Sequence, residues 1–509
     1  MSAAVPVADG VARRPGAAIL ALTVAGVAQA VDVSLNNTAI ASAAADFNLS
    51  ASQRSFAASA GTLAMAALIL TIGTIGDRYG RRLTLLWCCI ALILGGIVTA
   101  ASTGFTTYVL GRVITGAGLA GTLALSIALI RTVAPDRVPR AMSLYFTGQV
   151  AFALPLSVLG GALIGVSWRL GYLVVPIVGA IAFFLNKFYV PRSKAVHRRR
   201  SDPVGLVLIA VALVGIISGV SDASAGWGSA AVLIRLCLGA AGLAAFLIWE
   251  SRHPEPALPV RLFADRDLAG AVTADASFNM FQAVMTLQLS LLWQYLYGFS
   301  PIEVTVGQLP TTVAMTLGAF AAGRLATRGQ PPQRLIQLGL AGVAVASAIL
   351  ALGGGDTPYW VFAVGLVVGG FSRMLTETTA GQFFIDVPPA DLVGATASSK
   401  PAVGQASFAL GLALSSSLLY GRIGHGLPDR LAELGVTPAQ QSTLVGWFSN
   451  GSVPEWARNN DLFDQVTAVA RDTYVDAYRL TMVVFTVIFV LLWGLAWYLL
   501  RRGSRTTSE

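Results

Sequence analysis

Charge is what this 509-residue chain has least of: Asp, Glu, Lys and Arg make up only 12% of it, against 55% hydrophobic residues. With a mean hydropathy of +0.70, that balance excludes an ordinary soluble globular protein. Histidine and cysteine are scarce, three of each. His197, His253 and His425 lie far apart and read as loop residues. Cys88, Cys89 and Cys237 sit in apolar runs without metal-type spacing, so neither a metal centre nor a disulfide framework is expected. Lysine is confined to Lys187, Lys194 and Lys400, so nearly all of the 34 basic residues are arginine, read here as a codon bias. The first residues lack the apolar core and cleavage site of a signal peptide, so the first apolar run is expected to be retained. The net charge of +9 raises the question of nucleic acid. The arginines, however, fall between or beyond apolar runs, as cytoplasmic anchors do, and no nucleic-acid partner is expected.

Long apolar runs are what the chain has in abundance. A bilayer core about 30 Å thick needs ~20 apolar residues per helix. Fourteen runs satisfy this, near 16–43, 53–75, 83–102, 106–132, 140–165, 168–189, 204–221, 229–250, 268–297, 303–325, 333–354, 358–385, 391–421 and 475–500. The fold class expected is all-α integral membrane. An even number puts both termini on one side, and Arg13, Arg14, Arg501, Arg502 and Arg505 put that side in the cytoplasm. The connections alternate accordingly. Inside loops carry Arg78, Arg81, Arg82; Arg137, Arg140; Lys187, Arg192, Lys194, Arg198, Arg199, Arg200; Arg252, Arg261, Arg266; and Arg324, Arg328, Arg334, while short outside loops carry only Arg54 and Arg169.

Two basic or proline-containing linkers, 191–203 and 251–266, bracket a pair of runs at 204–250. Removing the pair leaves six before (16–190) and six after (267–500), the arithmetic of a two-bundle transporter with an inserted, peripheral hairpin. Residues 1–15 and 501–509 read as cytoplasmic tails. The long outside segment 422–474 contains "DRLAEL", "PAQQSTLVGWF" and "NNDLFDQVTAVARDTYVDAY", read as short amphipathic helices, the last leading into the final span.

Ionisable groups in hydrocarbon cost several kcal/mol unless paired or hydrated, so each is a candidate functional residue. Asp32 lies near the middle of span 1, with Asn36 one turn on and Asn37 beside it. A carboxylate in dry surroundings favours its proton-bound form, which suits a proton carrier; a static hydrogen bond or ion pair is the alternative. Arg112 lies two turns into span 4, ahead of Gly116, Gly118 and Gly121. Arg373 and Glu377 are four apart in span 12 and expected to pair. Asp275, Asn279 and Gln282 make a polar stripe in span 9, and Lys400 and Gln405 flank Pro401 in span 13. These residues point to a hydrated cavity with both signs of charge, which leaves substrate charge open.

Between spans 2 and 3 stands "GTIGDRYGRR", a charged hairpin in an otherwise apolar region. Positive-inside anchoring accounts for Arg81 and Arg82 but not for Asp77 or the glycines. Gly73, Gly76, Asp77, Arg78, Gly80, Arg81 and Arg82 together resemble the loop 2–3 signature of the major facilitator superfamily, G-x-L-x-D-R-x-G-R-R/K. The resemblance extends over nearly the whole chain, and fourteen spans with two inserted are similar to the superfamily's fourteen-helix drug:proton antiporters. "VDVSLNNTAI" resembles that branch's span-1 pattern L-D-x-T-x-x-N-x-A-L-P, with Ala41 in place of the final Pro. "LGRVITGAGLAG" resembles its span-4 motif.

The resemblance implies a major facilitator fold that exports small organic, amphiphilic molecules from a bacterial cytoplasm by alternating access. The proton gradient would be the energy source, no cofactor would be needed, and the carrier would work as a monomer. It implies proton coupling by Asp32 and Arg112, joined on the residue reading by Asp275 and Glu377. The cavity would be lined by Asn36, Asn37, Asn279, Gln282, Arg373, Lys400 and Gln405. Gating would fall to the hairpin and to Gly160 and Gly161, the glycine pair of the span-5 motif G-P-x-x-G-G. Here that motif reads Leu156-Ser157-Val158-Leu159-Gly160-Gly161, which leaves uniport, symport or export of one endogenous compound as alternatives. The second-half copy of the hairpin, "GRLATRG", has Thr327 in place of the acid. A membrane-embedded transferase or hydrolase would need a nucleophile–base or metal constellation, which the sequence does not offer. A transport-dead receptor would tolerate loss of Asp32.

Overall fold

The computed structural model describes residues 14–135, 138–192, 202–253, 260–388, 393–437 and 463–501. Every regular element among them is a helix: α1 (Pro15–Asp46), α2 (Ala51–Tyr79), α3 (Arg81–Ala100), α4 (Phe105–Val133), α5 (Val138–Val166), α6 (Trp168–Tyr172), α7 (Val174–Tyr189), α8 (Pro203–Asp222), α9 (Ala230–Arg252), α10 (Arg266–Leu296), α11 (Pro301–Gly307), α12 (Leu309–Thr327), α13 (Pro332–Leu350), α14 (Tyr359–Asp386), α15 (Val393–Glu433) and α16 (Phe463–Leu500), with two short 3-10 turns at Ala223–Ala225 and Val260–Ala264. Helices satisfy their own backbone groups, which a bilayer demands. Among the described residues thirteen spans are long and apolar enough to cross a membrane, taking α6–α7 and α11–α12 as one each. The remaining long helix, α10, has 31 residues; Asp275, Asn279, Gln282, Gln288 and Gln294 lower its hydropathy. This is an all-helical integral membrane protein.

Local chemistry sets the boundaries. Ser50 caps α2 in a reciprocal box with Gln53, and Ser300 does the same for α11 with Glu303. Asp202 and Asp265 accept from the first free N–H groups of α8 and α10. Gly80 joins α2 to α3 at φ +107°, a value that suits glycine. Two of the expected single spans are broken, the first between Tyr172 and Val174 and the other at Gln308.

The core shows how the halves meet. Toward the face opposite the chain ends one cluster unites them: Leu35, Ala39, Ile40, Ala57 and Ala58 from the first half pack in the same core as Leu287, Leu291, Leu292, Val304, Leu419 and Ile423 from the second. Toward the face bearing the chain ends the core divides. Ile19, Leu22, Leu85, Leu129, Tyr145 and Val190 form a cluster of first-half residues, and Leu268, Ile336, Leu340, Phe384 and Leu500 one of second-half residues. The described halves are therefore joined at one face and separate at the other.

Three sequence expectations need correction. The inserted pair is not merely peripheral: Ile217 and Val220 of α8 share a core with Leu63 of α2 and Ala409 and Ala413 of α15, so α8 bridges both halves. "DRLAEL" continues α15 to Glu433 and is not a separate short helix, while "DQVTAVARDTYVDAY", expected to lead into the final span, is continuous with it in α16. "PAQQSTLVGWF" lies outside the described residues, as does His197. His425 lies on α15, with Nδ1 2.7 Å from the Gly421 carbonyl, not in a loop.

Candidate functional site

Asp32 on α1 and Arg112 on α4 meet in a bidentate ion pair, Nη1–Oδ1 2.6 Å and Nη2–Oδ2 2.8 Å, with both side chains only 2% exposed. Fork-on-fork geometry is the strongest form of this contact. Space for the guanidinium comes from α2: a methyl group at Gly61 would lie 2.7 Å from Arg112 Nη2. One turn further, Asn36 donates to the Ala58 carbonyl (3.0 Å) and accepts from Tyr108 (3.3 Å) and Tyr172 (3.0 Å). The sequence reading did not single out either tyrosine. Tyr108 sits four residues before Arg112, a visible (i, i+4) signal; Tyr172 had none, because its contact comes from the tertiary fold.

The second half holds a looser cluster. Lys400 Nζ lies 3.2 Å from Asp275 Oδ1 and 4.0 Å from Glu377 Oε1, and Arg373 Nη2 lies 3.1 Å from Glu377 Oε2. Asn279 donates to the Asp275 carbonyl and to its carboxylate. Both cations flank the Phe278 ring, Arg373 Cζ at 5.8 Å and Lys400 Nζ at 5.7 Å. Arg373, Glu377 and Lys400 remain 15–29% exposed, unlike the sealed first-half pair. The structure thus joins Asp275, Asn279, Arg373, Glu377 and Lys400 in one group. Gln282 bonds Thr286 of its own helix. Asn37 and the Gln405 oxygen are buried with no hydrogen-bond partner among the described residues.

In the hairpin, Arg81 pairs with Asp77 at 2.7 Å and reaches the Ala128 carbonyl. Arg82 donates to the Asn186 and Lys187 carbonyls, and Gly76 abuts Leu125. Arg78 lies over Tyr79, and Gly73 has open space. These described contacts all lie in the first half, on the face where the halves are separate. Gly160 abuts Leu35 of α1 within the first half, and a methyl at Gly161 would lie 2.7 Å from Thr305 Oγ1 of α11, so Gly161 alone of the pair serves contact between the halves at the joined face.

Arg54, which stood out only as a basic residue on the predicted outside, crosses that joined face. It is 1% exposed, donates to Tyr295 (3.3 Å), and lies 4.8 Å over the Tyr420 ring, with Tyr474 packed on Tyr295 at 5.8 Å. Among the described residues no group of three or more His, Cys, Asp or Glu could hold a metal.

Comparison with known proteins agrees with this architecture. The chain is similar to the tetracenomycin C resistance and export protein of Streptomyces glaucescens, 27% identical over 88% of this chain and 84% of that one. It is also similar to the multidrug resistance protein B homolog of Mycobacterium tuberculosis, 29% identical over 68% of this chain and 64% of that one. Among solved structures, a bacterial homologue of the human lysosomal transporter Spinster superposes with a TM-score of 0.67 at 16% identity, covering 98% of this chain and all of that one. The profile of the Major Facilitator Superfamily matches residues 22–416, from α1 well into α15 and across both charge clusters. Two helical halves, an intramembrane charge pair and a match over most of the length make this transporter, not an enzyme, a member of the Major Facilitator Superfamily.

Proposed function

We propose that the protein exports small organic, amphiphilic molecules across a bacterial plasma membrane in exchange for protons, with both termini in the cytoplasm. The observation that carries the reading is the sealed Asp32–Arg112 pair at mid-depth of α1. Burying two charges costs several kcal/mol per ion before their attraction repays it, and a proton on Asp32 would break the pair's balance. The divided core on the terminal face and the joined core opposite fit a carrier open toward the cytoplasm. The partly exposed cluster around Asp275 offers a second protonation site and polar groups for substrate. One proton supplies ~2.3 kcal/mol per 100 mV and about 1.4 per pH unit, enough for a gradient of tens-fold or more. The resistance and export functions named for the relatives support efflux.

The altered span-5 motif, with Leu156-Ser157 in place of Gly-Pro, favours a second reading as a uniporter or symporter. Everted vesicles with an imposed proton gradient and a pH-sensitive dye decide between them. A compound that collapses the gradient in wild type but not in Asp32→Asn supports exchange. Movement of radiolabelled compound in both, without proton flux, overturns it.

A further inference from the structure

The Asp32–Arg112 pair has a companion one turn away that the proposed reading does not use. α1 and α4 run antiparallel, so Asp32 and Asn36, four apart, face Arg112 and Tyr108, also four apart. The result is a ladder of two rungs: an ionic rung and, one turn nearer the joined face, a neutral rung of Asn36 and Tyr108. Tyr172 of the short helix α6 closes the neutral rung. Its hydroxyl is 2.7 Å from that of Tyr108 and 3.0 Å from Asn36 Oδ1, and its ring lies 5.5 Å from Arg112 Cζ. Tyr108 and Tyr172 are 0% and 1% exposed.

Three contacts join the two hydroxyls and Asn36 Oδ1, yet the hydroxyls carry only two protons between them. One contact therefore always lacks a proton, and the donors can be arranged in more than one way without moving a heavy atom. The other end of Asn36 is fixed on α2 through the Ala58 carbonyl. Above Tyr172, Trp168 of α6 stacks edge-on with Tyr108, Tyr172 and Phe47 and donates to Asp46, which Arg169 also holds at 2.6 Å. This aromatic layer connects the buried rung to an exposed ion pair at the joined face.

We propose that Tyr108 and Tyr172 are positioning residues for proton exchange at Asp32: through Asn36 they fix the rotation of α1 and hold the carboxylate square on Arg112, and they seal it from the joined face. The inference rests on the proton-coupled reading above. Asp32 is faced by Arg112 and Tyr108 from α4 and by Tyr172 from α6. α5 brings Tyr145 against Gly26, well over a turn away. The other helices packed on α1, namely α2, α7, α10 and α11, place no side chain in a hydrogen bond or ion pair with Asp32 among the described residues.

The test is proton-coupled transport of a cationic dye in proteoliposomes across a pH series, in wild type, Tyr108→Phe, Tyr172→Phe, the double Phe variant and Asp32→Asn. Each single variant leaves one donor for Asn36 and should keep the wild-type pH midpoint. The double variant keeps both rings but leaves Asn36 Oδ1 without a donor, so that Asn36 is held only by its bond to the Ala58 carbonyl and its link to α4 and α6 is lost. Arg112 then holds the carboxylate less squarely, and the pH midpoint of transport should move by about one unit. A role limited to packing would lower the amount of folded carrier or the maximal rate with no change of midpoint, and that result overturns the proposal. Failure of the underlying reading looks different: Asp32→Asn would then retain the wild-type pH profile.

Discussion

Arg54 is expected to set how often the joined face opens. It comes from α2, while the tyrosines around it come from α10, α15 and α16, so any rocking that parts the halves there must draw the guanidinium out. A desolvated cation over an aromatic face contributes about 2 kcal/mol, against ~0.5–1 at an exposed site. Arg54 is 1% exposed and 4.8 Å from the Tyr420 centroid, which places it near the upper figure. Arg54→Ala should then raise the ratio of molecules open at the joined face to closed ones by roughly 30-fold, since each 1.4 kcal/mol is tenfold. Electron–electron distance measurements read this directly. Thr103 in the α3–α4 turn and Asp356 in the α13–α14 turn are exposed on that face, one in each half. Both would be changed to Cys and spin-labelled after removal of the exposed Cys237; Cys88 and Cys89 are buried. The Arg54→Ala variant should gain a long-distance population, and Tyr420→Leu should gain most of the same population. A folded Arg54→Ala protein with the wild-type distance distribution would refute the reasoning.

Removing one partner of a buried pair strands the other, at about 3–5 kcal/mol. Arg112→Ala should therefore lower the thermal midpoint in detergent more than the double Asp32→Asn/Arg112→Gln variant does. Gly61→Val should push the Arg112 guanidinium off the carboxylate; it is expected to abolish proton-coupled uptake in vesicles while membrane insertion, read by protease protection, persists. In the inserted hairpin, a methyl at Gly215 would lie 2.7 Å from the backbone of Gly239. Gly215→Leu should splay α8 from α9 and lower the thermal midpoint by several degrees, whereas Leu238→Ala on the exposed face of α9 should not.

How much of this was legible in sequence followed the range of the interaction. Spanning helices depend on local composition, so runs such as 204–221 correspond to helices found in the fold. The Arg373–Glu377 contact was visible because both residues are on one helix. Asp32 and Arg112 were each conspicuous as charges in hydrocarbon, but their bidentate contact joins positions 80 apart in sequence. Tyr108 and Tyr172 were not visible as a pair, because a tyrosine in an apolar run is ordinary and only packing brings them to Asn36. The breaks at Leu173 and Gln308 were also hidden, since nearby prolines occupy positions compatible with helix. Arg54 was the clearest missed signal: with Arg169, it is one of only two arginines in the short loops predicted outside.

The two clusters together have a consequence for how voltage acts on the carrier. Asp32, Asp275 and Glu377 are matched by Arg112, Arg373 and Lys400, three charges of each sign, all paired within the spanning helices. A rearrangement of the halves with all carboxylates ionised moves little net charge through the field. With one proton bound, the same rearrangement moves one positive charge, worth ~2.3 kcal/mol per 100 mV if it crosses the whole field. On the exchange reading, an inside-negative potential therefore drives the proton-loaded step inward and leaves the empty carrier nearly indifferent. Lys400→Met reverses the assignment: the loaded form becomes neutral and the unloaded form negative. In proteoliposomes with potassium diffusion potentials, wild-type efflux should accelerate with potential when proton-loaded return limits the cycle. Lys400→Met should lose that acceleration and show voltage dependence instead in the deprotonated step, at alkaline pH on both sides. Equal voltage dependence in the two proteins would mean that charges outside these clusters carry the coupling.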